Sequence, residues 1–557
     1  MAKNEFKEKV IGRVSATEKN PSTTDEFYFW TDQCEILSPF DIVKIHHLPN
    51  DESVTYAVVQ EISHVTDSAS HFASYISSDF GNVSAGSIGN MDKLGMNYVK
   101  SHVIMNTDDI YMPALNNHQV YLCSEEDIKK ALGLKVENGI VCGYLSMYKG
   151  KENINIPVQI NYHFLIGNDG AHLNISGISG LAAKTSYTMF LMNAIQQKLC
   201  FESKLDIAFV IFNVKTRDLL AIDESNPSLS EKDKELYRLL ELKEETFKNV
   251  TYYYPFDHRS DNDMVSYVDL DRYNQQSAQG KAFKYYLPYT STKEKLNLLF
   301  ATEDDSSGTM ASCLKTIMNE EENFNNIERW DKLKEEVESR KDGKKYKDSD
   351  VLVSSWKKFS RILKKYVEDD SIFNDTEEVD KKDLTDVVYN HLKGGDVMVL
   401  DIAKLDDNTQ NYVFSSVIKD IYDMKFGMKR TSDTKIPDKV IIFVDELNKF
   451  ASKEQPKSPI LKNLLDVTER GRSQGVILFA AEQFRSAIFD RVKGNCSTDA
   501  YGRTNSVEIS KPDYQYIPPT YKNMMTRLPA GEYIISNPAL RSLVRIKFPY
   551  NLYNNKL

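Results

Sequence analysis

The sequence predicts a mixed α/β protein in which an N-terminal β-barrel precedes a parallel-sheet core opened by a helical insertion. Three observations predict it. Short apolar runs separated by turn residues fill residues 9–147; strand-like and helix-patterned runs alternate over 173–213 and again over 397–493; the stretch between is charged and helix-patterned.

Residues 9–15, 26–30, 40–46, 56–62, 98–104, 120–123 and 139–147 are spaced for a small barrel or sandwich rather than for helices. Residues 68–90, rich in Ser and Gly, predict a long loop or irregular hairpin. From about residue 155 the pattern changes. Residues 173–176 read as a strand, a Gly-containing loop follows, and 185–199 carry apolar residues at intervals of three and four. With a strand over 207–213, this is the βαβ order of a parallel sheet. Charged segments at 231–246, 311–321, 329–340 and 354–367 predict the helices of the insertion, whose charge reads first as a solvated face. The alternation resumes through 397–402, 410–424, 440–444, 457–473, 476–481 and 486–493, and 532–536 and 543–548 read as closing strands near Pro529 and Pro538. The expected organisation is a barrel over 1–150, a first part of the core over 151–220, the insertion over 221–385, and the second part of the core with its closing strands over 386–557. A chain of 557 residues exceeds what one hydrophobic core serves, so several structural units are expected.

Composition narrows the class. The apolar and charged shares are those of a globular protein and argue against wholesale disorder. Apolar runs such as 440–444 and 476–481 fall far short of the ~20 residues a membrane-spanning helix needs. The start lacks the apolar stretch of a secretory signal, so a cytoplasmic location is expected. Cys34, Cys123, Cys142, Cys200, Cys313 and Cys496 include no C-x-x-C pair, which argues against a disulfide framework or a zinc site. His46, His47, His64, His71 and His172 show no metal-ligand spacing. A net charge of −11 excludes a surface coated all over with nucleic-acid-binding lysines, so any such surface must be local.

Three segments carry chemistry. Asn174-Ile-Ser-Gly-Ile-Ser-Gly-Leu-Ala-Ala-Lys-Thr-Ser186 sets a glycine-bearing turn between strand and helix, where backbone N–H groups can surround phosphate oxygens and the helix N-terminus adds its dipole. In that reading Gly177, Ser179, Gly180, Ala182, Ala183, Lys184, Thr185 and Ser186 cradle a nucleotide, Lys184 meets the β- and γ-phosphates, and Thr185 holds magnesium. The spelling departs from G-x-x-x-x-G-K-[ST]. Gly177 stands seven residues before Lys184, and Ala183 takes the place of the glycine before it. The same turn is equally compatible with structural punctuation.

The second segment, Val440-Ile-Ile-Phe-Val-Asp-Glu446, ends an apolar run in two carboxylates. At the C-terminal edge of a parallel sheet, Asp445 would complete the magnesium shell and Glu446 would activate the attacking water as a general base. Alone, such a pair more often starts a helix; with a phosphate loop upstream, the site reading prevails. In the third segment, Glu469-Arg-Gly-Arg-Ser-Gln-Gly475, Arg470 or Arg472 at a subunit edge could reach a neighbour's γ-phosphate. Gln483, beyond the next strand, could orient water or sense that phosphate. The alternative is that the two arginines cap the preceding helix.

Together these residues resemble the HerA family of hexameric DNA translocases, relatives of the FtsK pumps. Ile11-Gly-Arg-Val-Ser15 resembles the opening of the family's barrel, and Leu528-Pro-Ala-Gly-Glu532 and Arg545-Ile-Lys-Phe-Pro549 its closing elements, so the resemblance covers nearly the whole chain. It implies a RecA-like P-loop ATPase core that binds ATP and magnesium between the subunits of a homohexameric ring, with duplex DNA threaded through the centre. It also implies an effector docked on the barrel face: a nuclease or, in antiphage defence pairs, another nuclease or a sirtuin-like NAD hydrolase. The irregular phosphate loop favours the defence branch. The alternative is a nucleotide-gated ring that assembles and activates its effector without productive translocation. A small-molecule kinase fits the barrel and the long insertion poorly.

Overall fold

The computed structural model of the chain describes residues 8–32, 34–47, 53–77, 95–134, 136, 139–150, 153–180, 182–303, 305, 308–319, 322–342, 351–378, 380–428 and 435–554. They fall into two compact units, one built from 1–161 with 503–548 and the other from 162–502 with 549–557.

The first unit opens with β1 (Val10–Val14), β2 (Glu26–Thr31), β3 (Ile42–His46), β4 (Val54–Thr66), β5 (Gly95–Asn106) and β6 (Gln119–Leu122). They close into an antiparallel barrel in the order β1-β2-β5-β4-β3-β6. Alternation along β2 buries Phe27 and Phe29 completely, as a sheet wrapped around its own core requires. At Gly12 a Cβ would lie 2.2 Å from the Trp30 carbonyl oxygen, so β1 and β2 approach as they do only because this position has no side chain. Two further strands, β7 (Gly139–Met147) and β8 (Ile154–Asn161), form an antiparallel pair. Where a loop is expected over 68–90, residues His71–Ser77 are a short helix, and the part from 78 onward lies outside the described residues.

The second unit contains β9 (Leu173–Ser176), β10 (Ile207–Asn213), β11 (Val250–Pro255), β12 (Ala282–Tyr286), β13 (Lys381–Asp383), β14 (Val397–Asp401), β15 (Lys439–Asp445), β16 (Val476–Glu482) and β17 (Thr498–Tyr501). They line up as β13-β12-β11-β14-β10-β15-β16-β9-β17, and the described pairings among them are parallel. β10, β15 and β16 are buried along almost their whole length, the pattern of strands covered on both faces. The insertion supplies helices and also three of these strands. In β11, Tyr252 and Tyr254 are fully buried, and aromatic runs of this kind fit a pleated surface. Its helix Val353–Tyr366 buries Trp356, Phe359 and Leu363 at helical spacing and leaves lysines outward.

The chain then returns to the first unit with β18 (Glu532–Ser536) and β19 (Val544–Lys547). These pair antiparallel with each other, and β19 pairs with β7. The fold is thus α/β, a closed N-terminal barrel followed by a RecA-like P-loop core. The signature of that core is the order β10-β15-β16-β9-β17, in which a single strand separates the one leading into the glycine turn from the one ending in the acid pair.

Candidate functional site

Parallel register aligns Ser176 with Glu482, Ala481 with Asp445, and Val444 with Phe212. The segments leaving β9, β16, β15 and β10 therefore emerge along one sheet edge, the edge at which parallel sheets present ligands. The four buried residues of β9 run into Gly177, whose N–H donates to the Glu482 carbonyl at 3.1 Å. The turn ends at Ala183, held at φ +53°, and the helix Lys184–Ile195 begins. Ala183 has no side chain that can take the open N–H groups of the first helical turn, which leaves them open to water or an anion. Ser179 and Gly180 are exposed at the tip, while Ala182 is buried and its N–H donates to the Ile178 carbonyl at 3.0 Å.

Lys184 is 5% exposed, and its ammonium donates to the Gly177 carbonyl at 2.8 Å and to Ser179 Oγ at 3.4 Å. Burial pulls its pKa below the usual lysine value, against the pull of Asp445 in the other direction. Thr185 Oγ1 donates to Asp445 Oδ2 at 3.0 Å, bringing together residues 260 positions apart. Asp445 is 4% exposed, and its Oδ1 accepts the Glu446 N–H at 2.9 Å. Glu446 sits at φ +62°, ψ +50°, directly after the strand. The glycine turn and the acid pair thus form one site.

That site contains a residue the motifs do not reveal. Lys215, two residues past the end of β10, places its ammonium 2.8 Å from Asp445 Oδ2 and 3.4 Å from Glu446 Oε1. Burial pulls the Lys215 pKa down, but the two carboxylates outweigh it and hold the value above that of a free lysine. No spacing marks this lysine. It becomes visible only once β10 is known to lie beside β15.

The other expected site residues divide by place. Ser186 is on the phosphate-loop helix, but its hydroxyl accepts from Asn551 Nδ2 at 2.9 Å. Gln483 leaves β16 at the site edge, half-buried. Before it, Glu482 is fully buried, and burial pushes its carboxyl up to about 8, with Arg485, Asp499, Lys184 and the Asn174 amide as its electrostatic neighbours. Arg485 itself forks onto the Asp499 carboxylate. Arg470 and Arg472 lie at the opposite end of β16, in the helix Pro459–Arg470 and the turn Gly471–Gln474 that precede the strand. Seven strand residues span ~20 Å, so neither arginine reaches the phosphate loop of its own chain. Arg470 is 70% exposed, with Asp466 at 3.8 Å. At Gly475, φ is +76° and a Cβ would stand 2.3 Å from the Asp438 carbonyl oxygen; this tight turn launches β16 beside β15.

The histidines form no ligand set. His172 is buried at the start of β9, its Nδ1 accepts the Leu478 N–H at 3.0 Å, and burial lowers its pKa to about 4. Among the described residues no group of three or more His, Cys, Asp or Glu is placed to hold a metal ion. The Thr185 hydroxyl and the Asp445 carboxylate are nevertheless hard oxygen donors at hydrogen-bond distance. They suit magnesium, which takes few protein ligands and fills its shell with water and phosphate oxygens. No helix among the described residues is long and apolar enough to cross a membrane.

No protein-family model matches the sequence, and no curated protein matches it. Solved structures do resemble the chain. The bacterial conjugative coupling protein TrwB, in its unbound form, is similar at 11% identity and a TM-score of 0.45, over 78% of this chain and 95% of that one. VirB4 of Thermoanaerobacter pseudethanolicus is similar at 12% identity and a TM-score of 0.45, over 75% and 98%. The genome packaging NTPase B204 of Sulfolobus turreted icosahedral virus 2, in complex with ATP-gammaS, is similar at 14% identity and a TM-score of 0.22, over 30% and 73%.

Proposed function

We propose that the chain is a magnesium-dependent ATPase of the ring-forming, DNA-translocating kind. One observation carries the ATPase reading: Lys184 and Thr185 meet Asp445 and Glu446 at a single sheet edge, joined by the Thr185–Asp445 hydrogen bond. The turn over 177–183 and the open helix N-terminus receive the phosphates of the nucleotide. Lys184 exchanges its loop oxygens for phosphate oxygens. Thr185 and Asp445 hold magnesium, which when bound neutralises charge on the phosphate oxygens. Glu446 takes a proton from the attacking water as the water oxygen bonds to the γ-phosphorus and the bond to the bridging oxygen breaks, releasing ADP and phosphate. Gln483, at the same edge, orients that water. Arg470 or Arg472, too far from its own loop, acts on the loop of a neighbouring subunit.

The finer reading rests on the sequence resemblance. In it a homohexamer threads duplex DNA in the cytoplasm and works in antiphage defence with an effector, a nuclease or a sirtuin-like NAD hydrolase.

The test is nucleotide binding and ATP turnover by wild type, Lys184→Ala and Glu446→Gln, with and without duplex DNA over a salt series, alongside particle mass. Lys184→Ala should lose nucleotide, and Glu446→Gln should bind it but turn over at least ~100-fold more slowly. DNA should accelerate the wild type, and salt should weaken that effect. A wild type that binds no nucleotide refutes the ATPase reading; turnover indifferent to DNA at low salt refutes the motor.

A further inference from the structure

We infer that Lys215 is a built-in cation that occupies the acid pair in place of magnesium and yields it only when nucleotide and metal arrive together. This rests on the ATPase reading above and adds a positioning residue to the same site.

The argument begins with the occupancy of Asp445. Its Oδ1 accepts the Glu446 N–H at 2.9 Å; its Oδ2 accepts both the Thr185 hydroxyl at 3.0 Å and the Lys215 ammonium at 2.8 Å. Oδ2, the oxygen beside Thr185, already accepts two donors, so a metal can bind between Thr185 and this oxygen only if a donor leaves. The three donors are not equally able to leave. The Glu446 N–H belongs to the backbone, and the Thr185 hydroxyl hangs on a short side chain in the first helical turn. Lys215 alone reaches Asp445 through a long flexible stem, and its side chain is 33% exposed, so it has solvent to swing into. Its root, by contrast, is fixed. The Asn213 amide donates to the Thr216 carbonyl at 2.8 Å and to Asp401 Oδ1 at 2.7 Å, holding the loop that carries Lys215 against β14. A mobile tip on an anchored root suits a group that leaves and returns.

Charge supplies the second step. Two consecutive carboxylates, one of them almost fully buried, repel each other and are costly to desolvate unless a cation neutralises them. Lys184 bonds instead to the loop oxygens of Gly177 and Ser179. Among the described residues Lys215 is therefore the cation paired with the two acids, and it touches both members. While it is in place, Asp445 Oδ2 has no free lone pair to offer magnesium beside Thr185, and Glu446 is held against an ammonium. A nucleotide changes the balance by bringing phosphate charge to both cations. Lys215 can then leave Asp445 for phosphate or solvent, which frees Glu446 as well.

The probe is magnesium ion alone, and the readouts are thermal melting in EDTA and in millimolar magnesium, with binding of a fluorescent ADP as a second measurement. Wild type should melt at the same temperature in both conditions. Lys215→Met should melt lower in EDTA and recover with magnesium alone, saturably, and Lys215→Arg should behave as wild type. The double variant Lys215→Met with Asp445→Asn should lose the recovery. For fluorescent ADP, the magnesium concentration giving half-maximal binding should fall about tenfold in Lys215→Met. Lys215→Gln, which keeps a donor but no charge, replaces the Met variant if that chain does not fold in either condition, with the same outcomes expected. The inference is overturned if the neutral variants melt as wild type does in EDTA and ignore magnesium. It is also overturned if they lose ADP affinity with an unchanged magnesium requirement, which would make Lys215 a phosphate ligand. A wild type that binds no ADP at all would refute the ATPase reading, while the melting comparison would still report on the lysine.

Discussion

Replacing Glu482 by Gln should make the protein more stable as pH rises, and the structure sets the size of the effect. Glu482 ends β16, fully buried beside the phosphate-loop strand, and burial lifts its carboxyl from 4.5 to about 8, partly opposed by Arg485 and reinforced by Asp499. The folded pKa lies above the unfolded one, so the folded chain keeps a proton that the unfolded chain has lost. The contribution is fully present below pH 4.5 and is lost as pH rises towards 8. Across that window the loss runs at about 1.4 kcal/mol per pH unit, which is about 3 kcal/mol between pH 4.5 and 7. Gln has nearly the same shape and nothing to ionise. Denaturant unfolding of the two chains at pH 5, 6, 7 and 8 gives a difference curve that should climb by about that slope in favour of the variant. A difference curve that stays flat over this range would refute the reasoning, because it would mean the carboxyl is hydrated and titrates as an exposed one does.

His172 predicts a slope of the other sign. Its folded pKa of about 4 lies below the free value of 6.5, so its contribution is fully present above pH 6.5 and is lost as pH falls towards 4, up to about 3 kcal/mol; His172→Gln should flatten the acid side of the melting profile. Because the Glu482 and His172 slopes oppose each other between about pH 4.5 and 6.5, only variant-minus-wild-type curves will resolve either. Ala183→Gly should stabilise by about 0.5–1 kcal/mol in thermal melts, since the left-handed backbone there costs Ala about 1–2 kcal/mol and part of that gain is offset by the freedom of Gly in the unfolded chain. Gly475→Ala should destabilise by about 2 kcal/mol or more in the same assay, its Cβ being driven onto the Asp438 carbonyl in a positive-φ turn. A neutral outcome there would show that β16 can shift away from β15.

Much of the fold was legible because its strands are buried on both faces and announce themselves as apolar runs. β9, β10 and β7 match the expected bounds, and β15 and β16 differ from them by a residue at most at each end. What escaped lacks that pattern. β13 is Lys381-Lys382-Asp383, whose first ammonium lies over the Phe256 ring at 3.9 Å, so a charged triplet pairs at the margin of the sheet with no hydrophobic signal at all. β17, Thr498–Tyr501, is too short for a period and carries an aspartate. β11 and β12 carried an aromatic signal, but it lay inside a stretch dominated by charge. In the site, Lys184, Thr185, Asp445 and Glu446 were readable because each ends or follows an apolar strand. Lys215 was not, since its role depends on which strand neighbours which. Ser186 showed the converse: right in position along the helix, yet its hydroxyl is engaged by Asn551, far away in sequence.

Among the described residues β9 pairs with β16 and β17, which are made about 300 residues later. At ordinary rates of synthesis, on the order of 5–20 residues per second, the strand that carries the glycine turn waits tens of seconds for its first sheet neighbour. Until then the turn has neither the Glu482 carbonyl to anchor Gly177 nor the Asp445 carboxylate to receive Thr185. Early in synthesis a nascent chain therefore holds only one half of the candidate site. The ribosome has delivered most of the protein before the first-made half of the candidate site acquires its second.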